Sequence, residues 1–212
     1  MKFWNLTAAS DAAGVEHLNV DIFGDIEPGF FGDGVASSEI AAQLGAHPTA
    51  ATITARINSF GGDLFGGIAI HNLLQSHGAK VTSIVEGIAG SAASIVAMAG
   101  KTVMHRGSML MIHNPQTITA GDAADHRQTA DVLDKARNSL VAIYQAKTGK
   151  SPSDLKALMD AETWMTAEDA KAAGFADEIA TKPVKATAAG DMVIWNSIAF
   201  ARSSLPDRKS VV

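Results

Sequence analysis

Apolar and polar positions change their period several times along the chain, and each change predicts a new element of secondary structure. Residues 17–23 alternate apolar and polar side chains, as a half-buried strand does. Residues 51–57 are rich in β-branched side chains and predict a second strand. Residues 81–85 predict a third, and two short strands are expected near 102–105 and 109–113.

Segments with the helical period lie between these strands. A short helix is expected from Ser37 to Leu44, with Ser37 or Ser38 as its cap. Another helix follows Gly62, and we expect it to bury the apolar residues that share one face. These residues are Phe65, Ile68, Ala69 and Leu73.

The longest helical pattern covers residues 121–147, and two more helices are expected to begin at the caps Ser151 and Thr166. The alternation of strands and helices predicts an α/β fold with a largely parallel sheet. We expect one domain over residues 1–180, followed by a linker and partly disordered C-terminal tail over 181–212.

Composition narrows the classes of function. A content of 47% hydrophobic and 18% charged residues is typical of a globular protein, and a net charge of −5 does not suggest a nucleic-acid partner. The absence of cysteine excludes disulfides, thiolate zinc sites and cysteine nucleophiles. The chain starts without a signal-peptide pattern and its apolar runs are too short to span a membrane, so we expect a cytoplasmic protein.

The segment Gly87–Ser94 is the first candidate for chemistry, because it is expected to form a small-residue turn between a strand and a buried helix. A serine in such a turn lies near free backbone N–H groups at a helix N-terminus. The transition state of acyl transfer carries an oxyanion, so Ser91 is a candidate nucleophile. The alternative is that the small residues only let the helix pack closely against the sheet.

Three other segments offer complementary groups. His113 ends an apolar strand, and histidine suits the role of general base near neutral pH. Asp160 and Glu162 lie between two predicted helices, where a carboxylate can orient an imidazole or simply remain solvated. The Gly61–Gly62 turn can bring backbone N–H groups close to a substrate because glycine has no Cβ.

Three sequence blocks, in this order, resemble the signature of the ClpP-type serine peptidases. They are Ile57-Asn-Ser-Phe-Gly-Gly62, Gly87-Ile-Ala-Gly-Ser91-Ala-Ala and Met111-Ile-His113-Asn-Pro115. The resemblance covers roughly residues 15–180 and implies a ClpP/crotonase-like α/β fold of stacked ββα units. It also implies that the long predicted helix is a handle and that the chains assemble into a homo-oligomeric ring or a stacked double ring.

The resemblance assigns a role to each candidate residue. Ser91 matches the nucleophile, and its spacing within the glycine-rich block favours it over Ser94. His113 matches the general base. The backbone N–H groups of Gly61 and Ala92 match the donors of the oxyanion hole.

The acid of the triad is assigned to Glu162, which stands two residues before Trp164, where the family has an aspartate before an aromatic residue. Asp160 is the alternative acid. Glutamate is one methylene longer than aspartate, and acid–histidine pairs with glutamate occur on other folds.

The predicted function is a serine endopeptidase that cleaves protein or peptide substrates with no cofactor, metal, nucleic acid or membrane. The opening Met1-Lys-Phe-Trp4 and the stretch Glu162-Thr-Trp-Met165 are similar to the phage and prophage branch, the head-maturation proteases that process capsid or scaffold proteins. The alternatives are general degradation of unfolded proteins with an ATPase partner, a catalytically silent structural protein, and an acyl-CoA enzyme on the same fold. The Ser–His pair argues against the last of these.

Overall fold

The computed structural model describes residues 4–27 and 34–180. The predicted linker and tail over 181–212 lie outside the described residues, and the domain boundary near residue 180 therefore stays a prediction.

An eight-stranded sheet forms the centre of the described structure. Its strands are β1 (Trp4–Ser10), β2 (Glu16–Phe23), β3 (Thr52–Ser59), β4 (Lys80–Gly90), β5 (Lys101–His105), β6 (Met109–Ile112), β7 (Thr163–Thr166) and β8 (Glu178–Ala180). The order is β1-β2-β3-β4-β5-β8, and β6 pairs with both β4 and β7. Only β1 with β2 and β6 with β7 pair antiparallel among the described strands, so the prediction of a largely parallel sheet is confirmed.

Six helices accompany the described strands. They are α1 (Ser37–Ala46), α2 (Leu64–Ser76), α3 (Ala92–Ala97), α4 (Ala123–Thr148), α5 (Pro152–Asp160) and α6 (Ala167–Ala172). None of the helices in the described part of the chain has both the length and the apolar character needed to cross a membrane. The core lies between sheet and helices, and alternate residues of β2 and β3 enter it, as the period of two predicts.

The glycine-rich segment differs from its prediction. We expected a turn from Gly87, whereas β4 continues to Gly90. The reason is a pairing that is distant in sequence: β6 lies parallel to this end of β4, with Gly90 opposite Met111. The turn between strand and helix is therefore reduced to Ser91.

The buried face of α2 also differs from the predicted one. Phe65 is 63% exposed, and Ile68, Ala69 and Leu73 are only partly buried. The buried residues are instead Gly66, Gly67, Ile70, His71 and Leu74. Gly66 and Gly67 allow this face of α2 to be buried, because their lack of a Cβ lets the helix backbone lie directly against neighbouring atoms.

The helix caps are confirmed in two of three places. Ser151 and Thr166 accept hydrogen bonds from the backbone N–H groups three residues later, as predicted for α5 and α6. The cap of α1 was predicted wrongly, because the helix begins at Ser37 and neither serine caps it. The Ser37 N–H instead donates to Glu27 Oε1 at 2.8 Å, so a carboxylate from another segment satisfies this helix end.

Helix α4 has two unlike halves. Its buried residues, Ala136, Leu140, Val141 and Tyr144, all lie in the second half. None of the described α4 residues before Ala136 is buried, and Val132 is 48% exposed. The first half of the helix therefore does not pack into the core of this chain.

Candidate active site

Ser91 occupies the junction between β4 and α3 in an unusual backbone conformation. Its φ is 50° and its ψ is −123°, which is a strained region for a residue with a Cβ. The Ser91 N–H donates to Met111 O of β6 at 2.9 Å, and this bond ties the junction to the neighbouring strand.

His113 follows β6 directly and meets Ser91. Gly90 lies opposite Met111 in the parallel pairing of β4 with β6, so the residues that follow these two strands are neighbours. Ser91 Oγ lies 2.7 Å from His113 Nε2, which is the distance of a hydrogen bond. The structure therefore brings together the two residues predicted as nucleophile and base.

The His113 ring is in the neutral state that can accept a proton. Burial of the half-exposed ring lowers its pKa below 6.5, and the charge of Glu162 opposes this shift with a smaller effect. The imidazole is therefore neutral near pH 7, and a neutral imidazole can take the hydroxyl proton of Ser91.

Ser94, the rival nucleophile, is placed differently. Its side chain is buried, and its hydroxyl donates to Ser91 O at 2.6 Å and lies 2.7 Å from the hydroxyl of Tyr144. In the described part of the chain it has no hydrogen bond to His113. Ser94 therefore contacts the Ser91 backbone from within the core.

Glu162 lies beside His113 without a hydrogen bond to it. The antiparallel pairing of β6 with β7 places Ile112 opposite Thr163, and one further step along both chains brings His113 opposite Glu162. The Glu162 carboxylate accepts a hydrogen bond from Trp164 Nε1 at 3.4 Å. No hydrogen bond joins Glu162 to His113 among the described residues, although the carboxylate charge reaches the ring and raises its pKa.

Asp160 is held by other partners. Its Oδ1 accepts a hydrogen bond from Asn114 Nδ2 at 2.8 Å and another from Arg137 Nη2 at 2.6 Å. The bond from Asn114, together with the arginine, keeps the pKa of Asp160 below its usual range. Asp160 therefore orients the residue that follows His113 and ties it to α4.

The Gly61–Gly62 turn lies directly against Ser91. Gly61 has a φ of +110°, and a Cβ there would be 2.8 Å from Ser91 Cβ and 2.9 Å from Ala92 N. Only glycine permits this approach. Ala92 is the first residue of α3, so its N–H has no acceptor within the helix.

The two glycines of this turn use their N–H groups differently. The Gly61 N–H donates to Ser59 Oγ at 3.1 Å. The Gly62 N–H has no acceptor within residues 4–27 and 34–180, and Gly62 is exposed. The sequence prediction named only Gly61, because a glycine pair does not indicate which of its two N–H groups is already bonded within the protein.

Comparison with known proteins identifies the family. A profile of the Clp protease family matches residues 33–183, well over half of the chain. The chain belongs to the Clp protease family. Its fold is the ClpP fold: a structure of a ClpP1 mutant from Listeria monocytogenes matches with a TM-score of 0.67, covering 78% of this chain and 92% of that one at 23% identity.

Two curated members of the family are similar in sequence. The ATP-dependent Clp protease proteolytic subunit of Bacteroides fragilis is 35% identical over 133 residues, which are 61% of this chain and 64% of that protein. Proteolytic subunit 1 of Protochlamydia amoebophila is 34% identical over 128 residues, which are 58% of this chain and 62% of that protein. The matched part of this Clp protease family member thus spans less than two thirds of the length of either relative.

Proposed function

We propose that this chain is a serine endopeptidase in which Ser91 is the nucleophile and His113 the general base. The observation that carries the proposal is the 2.7 Å contact between Ser91 Oγ and His113 Nε2 at a strained junction beside two backbone N–H groups. His113 takes the Ser91 proton, Oγ attacks a peptide carbonyl, and the protonated imidazole gives its proton to the leaving amine. Water then hydrolyses the acyl-enzyme.

The oxyanion is held by the Ala92 N–H and by the glycine turn. Gly61 fulfils its predicted role if its N–H exchanges Ser59 Oγ for the oxyanion, and the exposed Gly62 N–H is the alternative donor. With either assignment, one N–H donor comes from the glycine turn and the other from Ala92, the residue after Ser91. Two such donors stabilise the charge that develops in the transition state.

Glu162 is the proposed acid of the triad. A rotation of its side chain from the weak contact with Trp164 toward His113 would orient the imidazole and stabilise its protonated form. Asp160, the alternative acid, is already held at Oδ1 by hydrogen bonds from Asn114 and Arg137, which resist a turn of its carboxylate toward His113. We therefore rank Glu162 before Asp160.

We also propose that the active form is a homo-oligomeric ring. The observation in favour is the first half of α4, which buries no residue in its own chain and carries the exposed apolar side chain of Val132. The fully exposed Ile118 precedes this helix. Light scattering of Val132→Asp should show smaller particles than wild type, whereas Arg127→Ser on the same exposed half should leave their mass unchanged.

The proposed substrates are capsid or scaffold proteins of a phage, processed at a limited number of sites. The alternative is general degradation, which the names of the two ATP-dependent relatives favour. Digestion of α-casein separates the two functions, because this protein is unfolded and accessible without an ATPase. A few large fragments would support processing, whereas progressive conversion to short peptides would support degradation.

The catalytic proposal is tested by labelling with a fluorophosphonate probe, which reacts with activated serines, followed by peptide mapping of the adduct. We expect an adduct on Ser91 in wild type, no adduct in Ser91→Ala, and wild-type labelling in Ser76→Ala, which removes an exposed hydroxyl at the end of α2. The same labelling after denaturation would indicate accidental reactivity. Folded, assembled protein that takes no label would refute the proposal in favour of a catalytically silent member of the family.

A further inference from the structure

The carbonyl group of the nucleophile is held by two hydrogen bonds from one residue. Ser91 O accepts the Ser94 N–H at 3.0 Å and the Ser94 hydroxyl at 2.6 Å. The first bond is an ordinary turn contact that any residue except proline could make at position 94. The second requires a hydroxyl, and at 2.6 Å it is shorter than most bonds of its kind.

Tyr144 completes this arrangement from α4. Its hydroxyl lies 2.7 Å from Ser94 Oγ, and both side chains are fully enclosed by protein. Ser94 has one hydroxyl proton and gives it to Ser91 O, so Tyr144 must be the donor to Ser94 Oγ. Burial raises the pKa of Tyr144 to about 12, so the phenol keeps its proton at every pH at which the protein is assayed.

The direction of these bonds determines the direction of an oxyanion donor. The peptide unit between Ser91 and Ala92 is planar and trans, so its C=O and N–H point in opposite directions. Ser94 and Tyr144 hold the C=O on the core side. The Ala92 N–H is thereby held on the opposite side, beside the Gly61 turn and the Ser91 side chain.

The backbone strain at Ser91 favours a rotation that these hydrogen bonds oppose. With φ at 50° and ψ at −123°, the residue is outside the regions that a residue with a Cβ prefers, and rotation of the following peptide unit would relieve strain. Such a rotation would turn the Ala92 N–H away from the cleft. A second anchor from α4, Lys147 Nζ to Gly100 O at 2.8 Å, holds the chain just beyond α3.

We propose that Ser94 and Tyr144 are positioning residues that keep the Ser91–Ala92 peptide unit oriented so that the Ala92 N–H stabilises the oxyanion. The inference rests on the proposed peptidase function and deepens it. Neither side chain touches the substrate. Their effect is expected on the turnover number rather than on KM, because an oxyanion donor acts mainly in the transition state.

The test uses Ser94→Ala, Tyr144→Phe and the double variant in the full chain, assayed by hydrolysis of p-nitrophenyl acetate and by urea unfolding. We expect kcat to fall by roughly tenfold in Ser94→Ala, with KM unchanged, since one hydrogen bond that orients the donor is lost. Tyr144→Phe should lower kcat by about threefold, because the Ser94 hydroxyl remains but is no longer polarised by the phenol.

The double variant separates positioning from mere stability. Ser94→Ala alone leaves the Tyr144 hydroxyl buried without its partner and should lower the unfolding midpoint, whereas removal of both polar groups should restore much of it. The turnover number should not recover, because Ser91 O still lacks its second donor. If kcat recovers together with the unfolding midpoint, the pair is only structural and the inference is wrong.

Ser108→Ala is the matched control. Ser108 is equally buried, and both its N–H and its hydroxyl donate to His105 O, three residues earlier, at 2.8 Å. The Ser108→Ala variant should be less stable than wild type, with its kcat unchanged. Wild type that takes no fluorophosphonate label would refute the proposed function, whereas wild type that labels while Ser94→Ala turns over at the wild-type rate would refute only the positioning role.

Discussion

The substitution Gly67→Ala probes how closely α2 approaches the start of α3, next to Ser91. A Cβ at this position would lie 2.9 Å from Ala92 O and 3.0 Å from Ala92 Cβ. These neighbours belong to the start of α3 and are not the movable end of a long side chain, so one helix must shift. Overpacking of this kind costs about 1–3 kcal/mol of unfolding free energy.

The matched control is Gly45→Ala in α1, where a Cβ would have no heavy atom within 4 Å. Alanine is favoured over glycine within a helix by about 0.5–1 kcal/mol, and this gain applies to both substitutions. Subtraction of the two changes therefore removes the helix propensity and leaves the packing cost at Gly67.

The assay is urea unfolding monitored by circular dichroism. All variants are compared at one protomer concentration because assembly contributes to stability. Gly45→Ala should be slightly more stable than wild type and Gly67→Ala less stable than Gly45→Ala by about 1–3 kcal/mol. In thermal melts this difference corresponds to roughly 2–12 °C. Equal stability of the two variants would refute the close contact between α2 and α3.

Two further predictions concern charge. The value of kcat/KM should fall as the pH drops through a midpoint below 6.5, because burial lowers the pKa of His113 and only the neutral ring accepts a proton. Glu162→Gln should move this midpoint to still lower pH, because it removes the charge that raises the pKa, and a midpoint that rises would contradict the assignment. Arg56→Leu should destabilise the protein by about 1–2 kcal/mol in urea, because the partly buried Asp21 and Glu86 both lose their arginine and Glu86 keeps only its contact with His105. Lys101→Met removes a more exposed ion pair and should leave the urea midpoint unchanged, so equal effects of these two substitutions would refute the reasoning.

The sequence predicts five of the eight described strands, because the signal of those five is local, and it misses β1, β7 and β8. Residues 17–23 and 51–57 alternate or carry β-branched side chains, and both segments are strands within two residues of the predicted ends. The end of β4 was mistaken for a turn because glycine favours turns in isolation. Its pairing with β6, about twenty residues later in the chain, outweighs that local preference.

The site residues also divide into those with a local sequence signal and those placed by contacts distant in sequence. Ser91 and His113 lie in motifs that the sequence displays, and the structure brings them into contact. The sequence ranks Glu162 before Asp160 as the acid only through the family resemblance, because the two carboxylates are only two positions apart. The partner that occupies Asp160 is Arg137, on a different helix and 23 positions away, so no local pattern could reveal it.

The short strand β6 has a consequence for how the site forms during folding. Within its four residues it supplies Met111 O, which binds the Ser91 N–H, and it ends immediately before His113. A slip of two residues would keep the same side chains facing the core, yet it would carry His113 about 7 Å along the strand. Ser91 and His113 are therefore aligned by one pairing event, and a misregistered chain would bury its core normally while keeping these two side chains apart.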